Sequence, residues 1–129
     1  MNRIERDILL AETNGVEPHL SIQSNTRIDT GRWWRLASLW VCVTGEDVII
    51  LAANRRRYVH RLPISACGGS HYCHTTGELV IDAGDLNDDL EYRRLALSPV
   101  DALRVLRAMN VTDKNDTSLN SNELENTRA

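Results

Sequence analysis

Residues 33–64 read WWRLASLWVCVTGEDVIILAANRRRYVHRLPI, and this stretch decides the fold. From Arg35 to Thr44, strict alternation puts Ala37, Leu39, Val41 and Val43 on one face and Ser38, Trp40, Cys42 and Thr44 on the other, the period of a half to fully buried strand. Thr44-Gly45-Glu46-Asp47 supplies a turn, and the β-branched run Val48–Ala53 follows, which predicts a hairpin. Asn54-Arg55-Arg56 makes a second turn. The next strand runs from Arg57 to about Ile64, with Tyr58, His60, Leu62 and Ile64 facing one way and Arg57, Val59 and Arg61 the other. Pro63 marks its end or an edge position, because proline donates no ladder hydrogen bond.

Outward from this stretch the chain continues in the same style. Gly68 and Gly69 precede a short segment at His71–Thr75, Thr76-Gly77 turns it into Glu78–Asp82, and a last strand falls around Tyr92–Leu97 after an acidic loop at Gly84–Asp89. Ser98-Pro99-Val100-Asp101 then opens a helix with a capping hydroxyl, a first-turn proline and an early acid. Val100, Leu103, Leu106 and Met109 recur at helical spacing, with Asp101, Arg104 and Arg107 on the solvent side. Toward the N-terminus, Ile8-Leu9-Leu10 marks one short element, and the polar run through Ser21, Ser24, Asn25 and Thr30 reads as an irregular connection. The expected division is an N-terminal segment (1–29) packing on or leading into the domain, a domain (30–109), and a tail (110–129) too poor in large apolar residues to order itself.

This order of strands followed by one amphipathic helix predicts a mainly β, α+β fold: an antiparallel barrel or two packed sheets capped by the C-terminal helix. The string from Trp33 to Ile64 resembles the bacterial pleckstrin-homology-like families, in which a Thr-turn-apolar unit precedes a basic strand ending in a Pro-Leu-like dipeptide. Here those features are Val43-Thr44, Val48–Ala53 and Leu62-Pro63-Ile64-Ser65, and the Glu5/Ile8–Leu10 stretch is similar to the opening segment of those families. The resemblance implies a non-catalytic binding or scaffolding module. Relatives that bind phosphoinositides use basic residues around the first hairpin. The corresponding turn here, Thr44–Asp47, is acidic and argues against that ligand.

Composition narrows the function further. The chain has 129 residues, room for one core, and a net charge of -3, which gives no overall field to hold a nucleic acid. No apolar run is long enough for a membrane span, and the first residues lack a signal-peptide apolar region, so a cytoplasmic protein without integral membrane contact is expected. The net charge conceals an internal contrast. Between Arg27 and Arg61 seven arginines face three acids, whereas between Glu78 and Asp101 seven acids face two arginines. Local cross-strand pairing is one account of the arginines. The other is a surface for a protein partner, a second copy or an anionic ligand, with Arg55, Arg56 and Arg57 as forks for carboxylate or phosphate, joined by Arg35 and Trp34. Self-association through edge strands is also expected.

The remaining chemistry lies in Cys67-Gly68-Gly69-Ser70-His71-Tyr72-Cys73-His74, whose Cys67, His71, Cys73 and His74 are zinc-ligand types. A zinc-binding domain is the alternative reading. Against it, all four sit in one segment rather than on two separate elements, and alternation would send His71 and Cys73 to one side and His74 to the other. The three cysteines, Cys42 included, are expected to be free thiols. Asp85, Asn87 and Asp89 imitate the start of a calcium loop, but Leu90 stands where glycine is required. No catalytic cysteine signature, paired carboxylates or oxyanion hole is legible, so neither enzymatic activity nor a cofactor is expected.

Overall fold

The turn at residues 44–47 is tied by its own first side chain: the Thr44 hydroxyl accepts from the Asp47 amide at 2.9 Å, and the Thr44 amide donates to the Asp47 carbonyl at 2.9 Å. The chain therefore reverses tightly, pairing β2 (Arg35–Val43) with β3 (Asp47–Ala53) in the register Val43↔Val48 to Trp40↔Leu51. The computed structural model describes residues 1–32, 35–53 and 57–111. In it β1 (Leu20–Arg32) and β4 (Arg57–Pro63) flank this hairpin, giving an antiparallel four-stranded sheet in the order β1-β2-β3-β4. A 3₁₀ turn, Ile64–Ala66, leads out of it to a smaller antiparallel sheet of β5 (His71–Cys73), β6 (Glu78–Val80) and β7 (Arg94–Ala96). The molecule is thus mainly β, with two separate antiparallel sheets rather than a closed barrel, and a C-terminal helix, α2 (Pro99–Ala108).

The polar run expected to be an irregular connection is the thirteen-residue strand β1, which crosses residue 30 without a break. Its turn-forming residues build a bulge. Gln23 pairs with Trp40 and Arg27 with Ser38, so four steps along β1 answer two along β2. Ser24 repairs the interrupted ladder: its buried hydroxyl donates to the Leu39 carbonyl at 2.7 Å and accepts from the Thr26 amide at 3.2 Å. Thr26 in turn accepts from the Ala96 amide of β7 at 2.8 Å, so the bulge is also where the two sheets meet.

The main core lies between the sheets. Leu39, Val41 and Val43 of β2 and Val48, Ile50 and Ala52 of β3 meet Tyr72, Leu79, Ile81 and Leu95 from the smaller sheet side. Helix α2 joins this layer through Ala102, Val105 and Leu106, and its C-cap Met109 follows. That stripe corrects the sequence expectation, since Val100 is 69% exposed on the first turn and Leu103 is only half-buried. Contacts with β1, β2 and β5 fix the helix rotation, which spacing alone left open. The expected cap is present: Ser98 accepts from the Asp101 amide at 3.2 Å, and Pro99 follows it. Asn110, with φ 61°, ends the helix, and the Val111 amide returns to the Leu106 carbonyl at 2.8 Å.

A second apolar layer covers the opposite face of the large sheet. There α1 (Arg3–Glu12) lays Leu9 over Trp40, Cys42, Ile49 and Leu51. Buried Glu5 performs two tasks: one carboxylate oxygen accepts from the Asn2 amide at 2.9 Å, completing a capping box, and the other accepts from Trp40 Nε1 at 3.0 Å. At the far end of the helix, Arg61 of β4 donates to the Glu12 carbonyl at 3.0 Å and pairs with Asp47 at 2.7 Å. Among the described residues no helix is long and apolar enough to cross a membrane.

Candidate functional site

Antiparallel succession sends the β1–β2 and β3–β4 connections to one end of the large sheet and the β2–β3 turn to the other. The residues bracketing those two connections are Arg32↔Arg35 and Ala53↔Arg57. Of the arginines and tryptophan singled out in the sequence, Arg35 opens β2 and Arg57 opens β4, both at this end. Trp34, Arg55 and Arg56 lie outside the described residues, as does Trp33.

The register adds a residue that sequence reasoning had only counted in a charge total. Arg27 pairs with Ser38, and Ala53 with Arg57, while Ser38 and Ala53 lie two residues on from the Trp40↔Leu51 pair. Arg27, Ser38, Ala53 and Arg57 therefore form one row across the α1-bearing face, with two small residues between two exposed arginines. Three strand spacings separate the arginines, roughly 14 Å. Neither has a carboxylate partner among the described side chains, whereas Arg61 is held by Asp47 and Glu12, Arg94 by Glu78 and Arg104 by Asp101. Local pairing thus accounts for part of the arginine excess and leaves this row over.

Part of the acidic stretch, Glu91-Tyr92, reaches the inner side of β4. Tyr58, next to Arg57 but facing inward, packs edge-on to Tyr92 with ring centroids 5.0 Å apart. Its hydroxyl is sealed from solvent beside the backbone of Glu91 and Tyr92, without a well-aligned partner, and burial raises its pKa. At this strand Arg57, with no carboxylate partner among the described side chains, is exposed on the α1-bearing face, and Glu91 lies near Tyr58 on the inner one.

The Cys/His segment is divided between environments. Cys67 is buried in the main core, its thiol donates to the Pro63 carbonyl at 3.4 Å, and burial raises its pKa. His71 Nδ1 donates to the Gly69 carbonyl at 3.0 Å, and His74 packs edge-on against Tyr72 at 4.9 Å. Cys73 is partly exposed and its pKa is lowered, chiefly by the Thr76 hydroxyl and amide. Among the described residues no three His, Cys, Asp or Glu side chains gather as a metal site. The segment is instead anchored through Asp82. The Ser70 hydroxyl accepts from the Asp82 amide at 2.9 Å, and a Cβ at Gly69 would come within 2.9 Å of Asp82 Oδ2. The Asp82 carboxylate accepts from Asn87 Nδ2 at 2.8 Å and the Gly84 amide at 3.1 Å, which lower its pKa and close the Gly84–Asp89 loop, here a 3₁₀ turn.

A shallow cleft of about 290 Å³ lies at the opposite end of the large sheet, lined by Thr13, Val16, Thr44–Asp47 and Arg61. Its cation is already committed to Asp47 and Glu12, so it offers little to an incoming charge. No protein-family model, curated protein or solved structure matches the chain.

Proposed function

We propose that the protein is a non-catalytic interaction module of pleckstrin-homology-like architecture that binds an acidic protein surface at the arginine-bearing end of its large sheet. The observation that carries this reading is the row Arg27–Ser38–Ala53–Arg57, where register brings together two exposed arginines with no carboxylate partner among the described side chains. The four-plus-three order of antiparallel strands with a C-terminal helix supports the architectural part. Arg55 and Arg56 adjoin Arg57 in the chain, and guanidinium groups suit paired hydrogen bonding to carboxylates. The test is quantitative co-purification of crosslinked partners with the wild-type chain and with Arg55→Ala/Arg57→Ala. The double variant keeps the wild-type melting temperature, since Arg57 is exposed, and loses the wild-type partners. Unchanged enrichment of the same proteins by the double variant would refute the reading.

A further inference from the structure

The large sheet has two edge strands, β1, whose bulge bonds to β7 through Thr26, and β4, which pairs only with β3 among the described strands. The Ile64 amide donates to the Glu46 carbonyl at 2.8 Å, which fixes the ladder phase. Even-numbered residues of β4 therefore turn their backbone groups toward β3, and Arg57, Val59, Arg61 and Pro63 present theirs to the open side. Such an edge is a template for a further strand.

We propose that this edge is the seam of a homodimer in which β4 pairs antiparallel with β4 of a second copy about a two-fold axis at His60. The register follows from excluding the others. Centring the axis on Val59 sets Arg57 opposite Arg61 of the second copy, and centring it on Arg61 sets two copies of Arg61 face to face, both costly like-charge pairs. Centring it on Tyr58 or Leu62 shortens the overlap, because β4 begins at Arg57 and ends at Pro63. With the axis at His60 all seven residues overlap. Val59 then exchanges two backbone hydrogen bonds with Arg61 of the second copy, and the Arg57 amide meets the Pro63 carbonyl, where the missing proline N–H leaves only one bond to make.

Charge complementarity selects a second copy as the occupant. Pro63 pairs on its other side with Asp47, so Arg57 of the second copy lies in one row with Pro63 and Asp47 on the same face of the extended sheet. Arg57 of each copy, which has no carboxylate partner among the described side chains, is thereby directed over a short side chain toward the acidic turn of the other, Glu46-Asp47, where it would share Asp47 with Arg61. The inference rests on the reading of Arg57 as an interface residue and names the acidic partner as the same chain.

The test uses the full chain carrying Cys73→Ser, so that the remaining native thiols, Cys42 and Cys67, are buried. Sedimentation over a range of concentrations gives a species of twice the 14.6 kDa chain mass, and Arg57→Glu weakens it by about tenfold or more, as for a close charge pair reversed in sign. Under mild oxidation His60→Cys forms an interchain disulfide, because facing residues at a non-hydrogen-bonded pair lie about 4.5 Å apart between Cα atoms. Val59→Cys does not, since two residues of offset put its copies roughly 8 Å apart. A monomer at all concentrations, or a dimer crosslinked at 59 rather than 60, overturns the proposal. Partner loss in Arg55→Ala/Arg57→Ala is read separately, so a monomeric chain that still loses other partners defeats this inference and leaves the broader reading standing.

Discussion

Replacing Glu5 by glutamine changes one atom, yet it should be among the more damaging conservative substitutions in the chain. The Glu5 carboxylate serves two donors with two oxygens, the Asn2 amide on one and Trp40 Nε1 on the other. Glutamine has one oxygen and must turn its NH₂ toward one of those donors. The indole is enclosed, Trp40 being 8% exposed, so the mismatched N–H groups find no water. A buried donor left without its acceptor costs about 1–3 kcal/mol. At roughly 4 °C of melting temperature per kcal/mol for a domain of this size, the expected drop is roughly 4–12 °C by circular dichroism. Trp40→Phe removes the donor and strands a carboxylate oxygen, with a similar loss. In the double variant the glutamine oxygen turns to Asn2 and no indole N–H remains, so the two losses do not add. The coupling should be about 0.5–3 kcal/mol. Additive effects within about 0.5 kcal/mol would refute the idea that this bond seats α1 on the sheet.

Three further outcomes follow from other sites. Ser24→Ala orphans the Leu39 carbonyl at the β1 bulge and should lower stability by about 1–3 kcal/mol in urea denaturation, while Asn25→Ala, exposed beside it, changes little. Thiol labelling of the native chain should modify Cys73 first, and Thr76→Ala should slow it near neutral pH by removing the hydroxyl that lowers its pKa; Cys42, pushed up to about 11 by burial, should react only on unfolding. Asp82, whose pKa is lowered mainly by Asn87, binds its proton more weakly folded than unfolded, so its contribution is complete above the ordinary carboxylate range and lost as pH falls through its folded value. Asp82→Asn should therefore flatten the acid limb of stability against pH, measured by urea denaturation from neutral pH down to about 2.

The strands β2 to β4 and the capped helix are legible in the sequence because alternation, the Thr44 turn and the Ser98-Pro99 cap are local signals. β1 is not, because its buried positions Ile22 and Ile28 are separated by Ser24-Asn25-Thr26, residues that signal a turn in isolation but form a bulge once Leu39 and Ala96 supply partners. The importance of Glu5 was hidden for the same reason: its acceptor role depends on Trp40, thirty-five residues away. Of the site, Arg57 was readable as a basic residue after a turn. Arg27 was not, since only the shifted register of β1 brings it into the row with Ser38.

The central claim is that the arginine row beside β4 is where this protein meets its partner. Amide chemical shifts of the ¹⁵N-labelled chain, followed as the captured partner or the chain's own concentration is raised, test it directly. The account predicts the largest movements at Ala53 and from Arg57 into the first half of β4. Unmoved signals there, with the changes gathered on β5 and β6 of the smaller sheet, would contradict it.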